Sequence, residues 1–560
     1  MPLPIFWLVL LAFCPLLRVN GALREGRFHG NTVPRPSMPV VTIEDPDEPV
    51  LSRNGTVLPP YNTTYIFNQL IDHTNPSLGT FQQRYWHTYE FYEPGGPIVL
   101  MTPGEANAAP YTGYLTNRTI NGLITQQENG AVIILEHRFY GLSNPYPDLT
   151  VESLRFHTLQ QAIDDLVYFA QNVELPMPNG GQLGPDKAPW ILTGGSYSGA
   201  LTSWTIVNQP GIFWAGYSSS GVVEAILDYW RYFEPIRQNM AANCSADVGA
   251  VIAHIDQVFS SGNQSAIQKI KNSFGMGDMT HLDDVAGALR NNLWDWQSLQ
   301  PTSGSGAQFF DFCDALEVNN GVSASAKGWG LDHALTAWGS YFKNTYILEL
   351  CGSLDAESCL GSYDATQDYY TDTSIDNAGR SWTWIVCNEV GFLQDGPPQG
   401  LPAIVTRLVQ PSYDLRQCSY MFPDAFPTQA KTIDVAKTNE AFEGWDVRTN
   451  RLFFANGIRD PWREATVSAQ TVDVPSTASQ PIGLGDGFHC SDLSTANGAI
   501  DPTIAAVQSR ALESMHTWLQ EWTPDRRRSR QGNSSKLAAR SLTGPKEKPM
   551  NAWFRGSGTI

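Results

Sequence analysis

Basic side chains are scarce in this sequence of 560 residues. Lys and Arg number 36 against 55 Asp and Glu, which gives a formal net charge of -19. Because nucleic acids are polyanions, this balance argues against a nucleic-acid partner. Beyond its first residues the sequence lacks an apolar run of about 20 residues, so no membrane span is predicted. No His, Cys and carboxylate cluster has metal-ligand spacing, so neither a metal nor a cofactor is implied.

The first residues are typical of a secretory signal peptide. An apolar run from Ile5 to Phe13 is followed by small residues near Gly21. We therefore predict that residues 1–22 are removed and that the protein is secreted, with the vacuole or lysosome as the alternative. Residues 23–60 are rich in Pro, Asn and charge, and we expect an extended segment that is either a pro-segment or a linker.

Six N-x-[ST] sequons are consistent with this secretory route. They are at Asn54, Asn62, Asn117, Asn243, Asn263 and Asn533. We predict N-glycans at four of these positions, namely Asn62, Asn117, Asn243 and Asn263.

The cysteines predict a chain that is cross-linked by disulfides. Removal of Cys14 with the signal peptide leaves seven cysteines, and an odd number in an oxidising compartment predicts three disulfides and one free thiol. The sequence alone leaves the pairing open; we expect the pairs Cys244–Cys313, Cys351–Cys359 and Cys387–Cys418. Cys490 is then free, and it is a poor candidate nucleophile because no strand–turn–helix connection surrounds it.

One stretch predicts a serine nucleophile. Residues 189–201, PWILTGGSYSGAL, are an apolar strand that breaks into glycines, presents Ser196 and continues as helix-compatible sequence. A serine on such a sharp turn is the nucleophile elbow of α/β-hydrolases, where small neighbours avoid a steric clash. The usual pattern is G-x-S-x-G; here Gly194 matches it, and Ser198 replaces the second glycine. The alternative is a Gly/Ser-rich turn after a buried strand.

The acid and the base of a catalytic triad have candidates downstream, in the order that this fold requires. An apolar strand over residues 451–455 leads to a turn with Asp460, and residues 481–493 place His489 in a glycine-rich loop. In a triad, His489 accepts the Ser196 proton and Asp460 orients the imidazole. A turn aspartate and a loop histidine are ordinary features singly, but the three in this order predict a hydrolase.

An oxyanion needs preorganised N–H donors near the nucleophile. The elbow supplies the N–H of Tyr197, the residue after the serine. The loop at Gly104 and Glu105, which follows an early apolar strand, is placed to supply the second donor.

Strands alternate with helices in two separated stretches, which predicts a mostly parallel sheet. We assign residues 61–224 and 430–523 to the two parts of an α/β-hydrolase core. Residues 222–240 are predicted to form an aromatic-rich helix. Residues 225–429 lose the alternation and are predicted to form an inserted, mainly helical cap. Residues 524–560 contain nine Lys or Arg against two Asp or Glu, and we expect a basic, disordered tail.

Four motifs carry a family resemblance. They are GGSYSG at 194–199, EHRFYG at 136–141, NGIRDPW at 456–462 and GFHCSDL at 487–493. These motifs resemble the signatures of the serine peptidase family of lysosomal Pro-Xaa carboxypeptidase and dipeptidyl peptidase II. The resemblance runs from about Asn68 to Trp522 and is strongest to secreted fungal acid prolyl endopeptidases, which share the serine at position 198.

The resemblance implies an α/β-hydrolase core with a helical cap and cleavage after proline in peptide or protein substrates, expected to be proline-rich. It carries Ser196, Asp460 and His489 over as the triad. Trp462 matches a position that lines the proline pocket of relatives, although it could equally be a core tryptophan. The remaining pocket candidates are Ala200, Trp382 and Trp384.

Four further polar residues lie in or near these motifs, and the role of Glu105 stays open. Glu105 either shapes the oxyanion loop or binds a substrate ammonium. Glu136, His137 and Arg138 are expected to form a structural ion-pair cluster.

Activity at acidic pH would need a neutral His489, whose ordinary pKa is about 6.5. We therefore expect burial to lower this pKa and the acidic limb of the rate profile to fall below that value. Three rival functions use the same scaffold: an exopeptidase, an esterase or lipase, and a non-catalytic binding protein. The absence of a long apolar lid helix disfavours a lipase, and the complete triad disfavours a binding protein.

Overall fold

The computed structural model describes residues 29–43, 48–427 and 433–524. The predicted signal peptide, the sequon at Asn533 and the basic tail after Pro524 lie outside these ranges. None of the helices in the described ranges could cross a membrane, since each is too short or too polar.

The strands form one large sheet and two small ribbons. In chain order they are β1 Tyr65–Leu70, β2 Thr80–Thr88, β3 Ile98–Met101, β4 Ala131–Leu135, β5 Trp190–Gly195, β6 Ala215–Ser219, β7 Ile226–Asp228, β8 Val318–Asn319, β9 Val322–Ser323, β10 Gly391–Leu393, β11 Leu452–Gly457 and β12 Ile482–Gly485. The large sheet has the order β1-β2-β4-β3-β5-β6-β11-β12. Its pairs from β4 to β12 are parallel, while β1–β2 and β2–β4 are antiparallel.

The inner parallel strands are buried along their whole length, because the sheet is covered on both sides. These strands are β3, β4, β5, β6 and β11. In β3, Ile98 and Leu100 belong to one core cluster, whereas Val99 and Met101 belong to another. This alternation follows from the two-residue period of a strand.

The α-helices surround the sheet and build the cap. They are α1 Ile120–Glu128, α2 Val151–Leu154, α3 Leu159–Asn172, α4 Tyr197–Asn208, α5 Phe233–Asn239, α6 Ala242–Ser260, α7 Gln264–Ser273, α8 Leu282–Ala288, α9 Asn291–Trp294, α10 Gln308–Glu317, α11 Leu331–Tyr341, α12 Ile347–Cys351, α13 Ala356–Leu360, α14 Asp368–Thr371, α15 Ala378–Ile385, α16 Pro411–Met421, α17 Val435–Phe442, α18 Thr495–Ile500 and α19 Pro502–Gln520. Helices α1 and α19 share a core cluster with one face of the sheet, and α3 and α4 share a cluster with the other.

Among the described residues, the chain between β6 and β11 adds no strand to the large sheet. It contributes helices α5–α17, so the fold is an α/β-hydrolase core with a mainly helical insertion. The predicted helix over residues 222–240 is confirmed only in its second half, where a 3-10 turn at Trp230–Tyr232 leads into α5. Its first half is not helical and contains β7, which pairs with β10. That pairing joins residues distant in sequence, which local periodicity does not report.

The predicted disulfides are confirmed. Cys244 is bonded to Cys313, Cys351 to Cys359, and Cys387 to Cys418. Cys490 is free and buried.

Candidate active site

Ser196 lies on a strained turn between β5 and α4. Its φ of 61° and ψ of -122° lie in a region of backbone angles that residues other than glycine rarely adopt. A Cβ at Gly194 would lie 2.2 Å from the carbonyl oxygen of Ser198, so that position excludes a side chain. Ser198 fits the second small position because its hydroxyl folds back and donates to the Gly195 carbonyl at 2.7 Å.

Asp460 and His489 follow neighbouring strands of the same sheet, β11 and β12. The carboxyl ends of parallel strands meet at one edge, which brings both side chains to Ser196. His489 Nε2 lies 2.7 Å from Ser196 Oγ, and His489 Nδ1 lies 2.9 Å from Asp460 Oδ1. All three residues are buried. The arrangement has the geometry of a nucleophile, a base and an orienting acid.

Hydrogen bonds from neighbouring residues position Asp460 and His489. The N–H of Trp462 donates to Asp460 Oδ1 at 2.8 Å, while Asp460 Oδ2 has no hydrogen-bond partner among the described residues. Gln300 Nε2 donates to the backbone carbonyl of His489 at 2.9 Å. The sequence contains no signal for Gln300, because it comes from the cap and meets His489 only in the folded chain.

The expected downward shift of the His489 pKa is wrong in direction. Burial does lower this pKa, but the negative charge of Asp460 and the hydrogen bond to it, together with the contact with Cys490, raise it well above the ordinary value. A buried imidazole next to a carboxylate is stabilised as the cation. The site therefore favours a protonated His489 at acidic pH.

The two predicted oxyanion elements lie next to each other. Gly104 has a φ of 75°, which glycine adopts without strain, and a Cβ there would lie 3.1 Å from the Tyr197 ring and 3.2 Å from Ser198 Cβ. Tyr197 is the first residue of α4, where N–H groups have no acceptor within the helix. The loop thus lies against the start of the helix, and the N–H of Gly104 itself donates to Thr102 Oγ1 at 3.3 Å.

Glu105 is fully buried beside this loop, and neither carboxyl oxygen has a hydrogen-bond partner among the described residues. Burial raises its pKa to about 8. A carboxyl that is largely protonated at neutral pH carries little charge to attract an ammonium, which favours the loop-shaping alternative.

Trp462 is the centre of an aromatic cluster that the sequence analysis only partly anticipated. Its ring lies 6.4 Å from the His489 ring and within 5.5 Å of the rings of Tyr229, Tyr232 and Phe392. Its indole N–H donates to Gln297 Oε1 at 2.7 Å. Tyr229, Tyr232, Phe392 and Gln297 are spread over more than 160 residues of the chain, so no local motif marks them.

The other pocket candidates differ in their surroundings. Ala200 is buried in the first turn of α4, and its N–H donates to the Ser196 carbonyl at 2.9 Å. Trp382 packs edge to face on Tyr197 at 5.2 Å. Trp384 instead packs on Phe422 and donates to the backbone of His157, so its described contacts do not include the triad.

Glu136, His137 and Arg138 contact other residues rather than one another's side chains. Glu136 pairs with Arg84 and accepts the N–H of Ala108 at 3.0 Å, which steadies the oxyanion loop. Arg138 forms a salt bridge with Asp165 in the core, and Asp165 also contacts His73. His137 Nε2 lies 3.1 Å from the hydroxyl of Tyr197.

The fold and the residues at its sheet edge define an α/β-hydrolase. The family profile described as serine carboxypeptidase S28 matches residues 69–510. The chain belongs to this family and is a serine peptidase.

Several relatives are similar over most of their length. The chain is 36% identical over 471 residues to Serine protease vicPa of Bipolaris victoriae, covering 81% of this chain and 88% of that relative. It is 34% identical to a protein of Arthroderma benhamiae named Probable extracellular serine carboxypeptidase, covering 73% of this chain and 59% of that relative. It is 27% identical to the human thymus-specific serine protease, covering 80% of this chain and 85% of that relative.

Proposed function

We propose that the protein is a secreted serine peptidase that cleaves peptide bonds on the carboxyl side of proline. The observation that carries the proposal is the continuous contact from Asp460 through His489 to Ser196, at 2.9 and 2.7 Å, on a strained elbow. The aromatic cluster around Trp462 begins 6.4 Å from the same histidine.

The proposed reaction starts when Ser196 Oγ attacks the carbonyl carbon of the scissile bond. His489 Nε2 accepts the hydroxyl proton, and Asp460 holds the Nδ1 proton and stabilises the imidazolium. The oxyanion accepts hydrogen bonds from the N–H of Tyr197 and from the Gly104 loop. His489 then donates its proton to the leaving amine, and water hydrolyses the acyl-enzyme by the same steps in reverse.

Proline specificity is assigned to the cluster of Trp462, Tyr229, Tyr232 and Phe392. A flat aromatic face packs well on a pyrrolidine ring. A proline residue within a peptide has no backbone N–H, so an apolar pocket leaves no donor unsatisfied. Gln297 fixes the Trp462 ring through its indole N–H. The acyl group delivered to Ser196 would then be prolyl.

Secretion and glycosylation are part of the proposal. One relative's name describes it as extracellular. Asn62, Asn117 and Asn263 are exposed, as glycan acceptors must be, whereas Asn243 is half-buried. Asn54 is also exposed, so it is a further candidate acceptor.

An exopeptidase is the second candidate, because the family and one relative are described as carboxypeptidases. The same triad serves both functions, and the difference lies in whether the cleft admits a chain that continues on both sides. An esterase, the third candidate, would prefer a fatty-acyl ester to a prolyl amide.

The test is mass spectrometry of the products from a long peptide with several internal prolines. Ser196→Ala is the inactive variant, and we expect a rate at least about 10⁴-fold lower than that of the wild type. Ser203→Ala, two turns further along α4, is the matched control because its buried hydroxyl has no hydrogen-bond partner among the described residues.

Internal cleavage after proline by the wild type and the control, but not by Ser196→Ala, would support the proposal. Release of only short terminal fragments would replace it by an exopeptidase. Equal cleavage by Ser196→Ala and the wild type would refute the assigned nucleophile.

A further inference from the structure

Residues 29–41 run along the cleft that contains the candidate triad. Asn31 is buried, and from Pro34 to Met38 every second residue is buried, namely Pro34, Pro36 and Met38. Residues in 32–40 line a cavity of about 350 Å³ together with His489. The remaining walls come from both the core and the cap, and they include Ala106, Tyr111, Gln297, Gln300 and Tyr369.

The start of this segment is bound to the cap. The N–H of Gly30 donates to the carbonyl of Cys359 at 3.1 Å. The side-chain amide of Asn31 donates to the carbonyls of Leu360 and Asp284 at 2.6 and 3.0 Å. Asn31 is completely buried, so these bonds form a fixed anchor.

The end of the segment is bound to the core, on the opposite side of the cleft. The hydroxyl of Tyr111 donates to the Met38 carbonyl at 3.2 Å, and that of Tyr114 donates to the Pro39 carbonyl at 2.8 Å. Met38 Sδ lies 3.6 Å from Ser198 Oγ, and it lies 2.6 Å from the point where a Cβ of Gly195 would be. The segment therefore contacts Gly195, which precedes Ser196 in the sequence, and Ser198, which follows it.

The middle of the segment contacts the oxyanion loop directly and is linked to the aromatic cluster through Gln297. Arg35 Nη1 donates to the backbone carbonyl of Glu105. Gln297 Nε2 donates to the Arg35 carbonyl at 2.8 Å, while Gln297 Oε1 accepts the indole N–H of Trp462. One amide thus links the backbone of the segment to the proposed proline pocket, and the buried Pro36 follows directly.

With the segment in place, Ser196 is 0% exposed and His489 is 1% exposed. A substrate carbonyl has to come within about 3.5 Å of Ser196 Oγ before attack. The chain's own extended peptide therefore forms one wall of the cavity beside the triad, and side-chain donors hold its carbonyls as they would hold those of a substrate.

We propose that residues 29–41 occupy the peptide-binding cleft as an intramolecular inhibitor and must leave before substrate binds. The proposal rests on the proposed function, since it assigns the regulation and the substrate path of that site. Because the segment enters at the cap and leaves at the core, the emptied cleft admits a polypeptide that continues on both sides. The donors Gln297, Tyr111 and Tyr114 would then bind substrate carbonyls.

The first experiment compares full-length variants in their rate of labelling by a fluorophosphonate, which reacts with an accessible, activated serine whatever its peptide specificity. Arg35→Ala combined with Met38→Ala removes contacts to the oxyanion loop and the elbow, and we expect labelling about tenfold faster than in the wild type. Thr42→Ala is the control, because Thr42 directly follows the segment, is exposed and does not line the cavity. Equal labelling rates in all three proteins would overturn the proposal.

The second experiment removes the segment after folding. A recognition sequence for a site-specific protease is inserted after Ile43 in full-length Asn31→Ala, whose cap anchor is lost, and mass spectrometry verifies release of the cut segment. Labelling should accelerate at least tenfold and slow again when a synthetic peptide of residues 29–43 is added. A control peptide with Arg35→Ala and Met38→Ala should slow it much less.

The outcomes separate the two proposals. If labelling accelerates but no prolyl bond is hydrolysed, the inhibitor proposal is supported and the prolyl function is refuted. Prolyl hydrolysis that is as fast with the segment attached as after its removal would support the function and refute the inhibitor.

Discussion

The core and the cap hold their parts of the site by different means. In the core, Ser196, Asp460 and His489 follow strands of one hydrogen-bonded sheet. In the cap, the three disulfides of the described residues lie between residues 244 and 418, and the α-helices other than the 19-residue α6 have at most 11 residues. Short helices bury little surface each, so cross-links supply order that a sheet obtains from its backbone. The reacting side chains are therefore positioned by the hydrogen-bonded sheet, and the residues that cover them belong to the disulfide-linked cap.

The two regions meet through polar contacts around α15. Arg380 Nε donates to the Leu149 carbonyl at 2.8 Å, and Ser381 Oγ donates to the Phe139 carbonyl at 2.7 Å. None of the disulfides in the described residues crosses from the cap to the core. Substitutions in the cap and in the core can therefore be made separately, and their effects on stability and on catalysis can be measured separately.

The largest effect should come from breaking a long cap disulfide. Cys244–Cys313 closes a loop of 69 residues and Cys351–Cys359 one of 8. Loop-closure entropy then predicts a loss of about 4 kcal/mol in the free energy of unfolding for the first double Cys→Ser variant and about 2.5 kcal/mol for the second. Urea unfolding measures both, and equal losses would show that the cap is not ordered by its long cross-link.

The aromatic cluster tests whether the cap shapes the pocket around a core residue. We expect Phe392→Leu to lower kcat/KM for a prolyl amide about tenfold, because the ring that packs edge to face on Trp462 is lost. Phe422→Leu is the matched control, since it removes a buried cap ring that packs on Trp384 instead. Similar losses in both variants would mean that the effect reflects cap stability rather than the pocket.

The pH dependence of catalysis should follow the core. His489 must be neutral to accept the serine proton, and its pKa is raised well above the ordinary value. As pH falls through that raised pKa the base becomes protonated, so kcat/KM should fall about tenfold for each further pH unit. A steady-state pH profile locates this acidic limb, which we expect above about 6.5. A limb below that value would contradict the charge arrangement described for Asp460 and His489.

Stability should show the opposite pH trend where the cap meets the core. Glu389 accepts the N–H of Leu159 at 3.0 Å, and burial raises its pKa from 4.5 to about 7. The folded state thus binds this proton more tightly, and the stabilisation is complete below pH about 4.5 and is lost as pH rises toward 7. Glu389→Gln should reduce the difference in Tm between pH 5 and pH 7 by roughly 1–3 °C.

Thermal unfolding at the two pH values measures the difference. The exposed Glu513→Gln on α19 is the control and should leave it unchanged. An unchanged difference in Glu389→Gln would show that this carboxyl ionises equally in both states.

The parts that sequence predicted best were those with a local physical signature. Continuous apolar runs placed strands such as β3 and β4, and Gly194-Gly195-Ser196 placed the elbow. The first half of the predicted helix over residues 222–240 was wrong, because β7 is stabilised by its distant partner β10. The direction of the His489 pKa shift was also wrong, since burial and a neighbouring carboxylate oppose each other and only distances decide the balance.

The sequence by itself determined the family, the α/β-hydrolase class, the order Ser196, Asp460, His489 and the number of disulfides, because these depend on motifs and on counts. Only the tertiary structure decided which residues surround the triad. Gln297, Gln300 and Phe392 come from the cap, and residues 29–41 come from the other end of the chain. Their contacts join residues far apart along the chain, and such contacts exist only once the sheet and the disulfides have fixed where those segments meet.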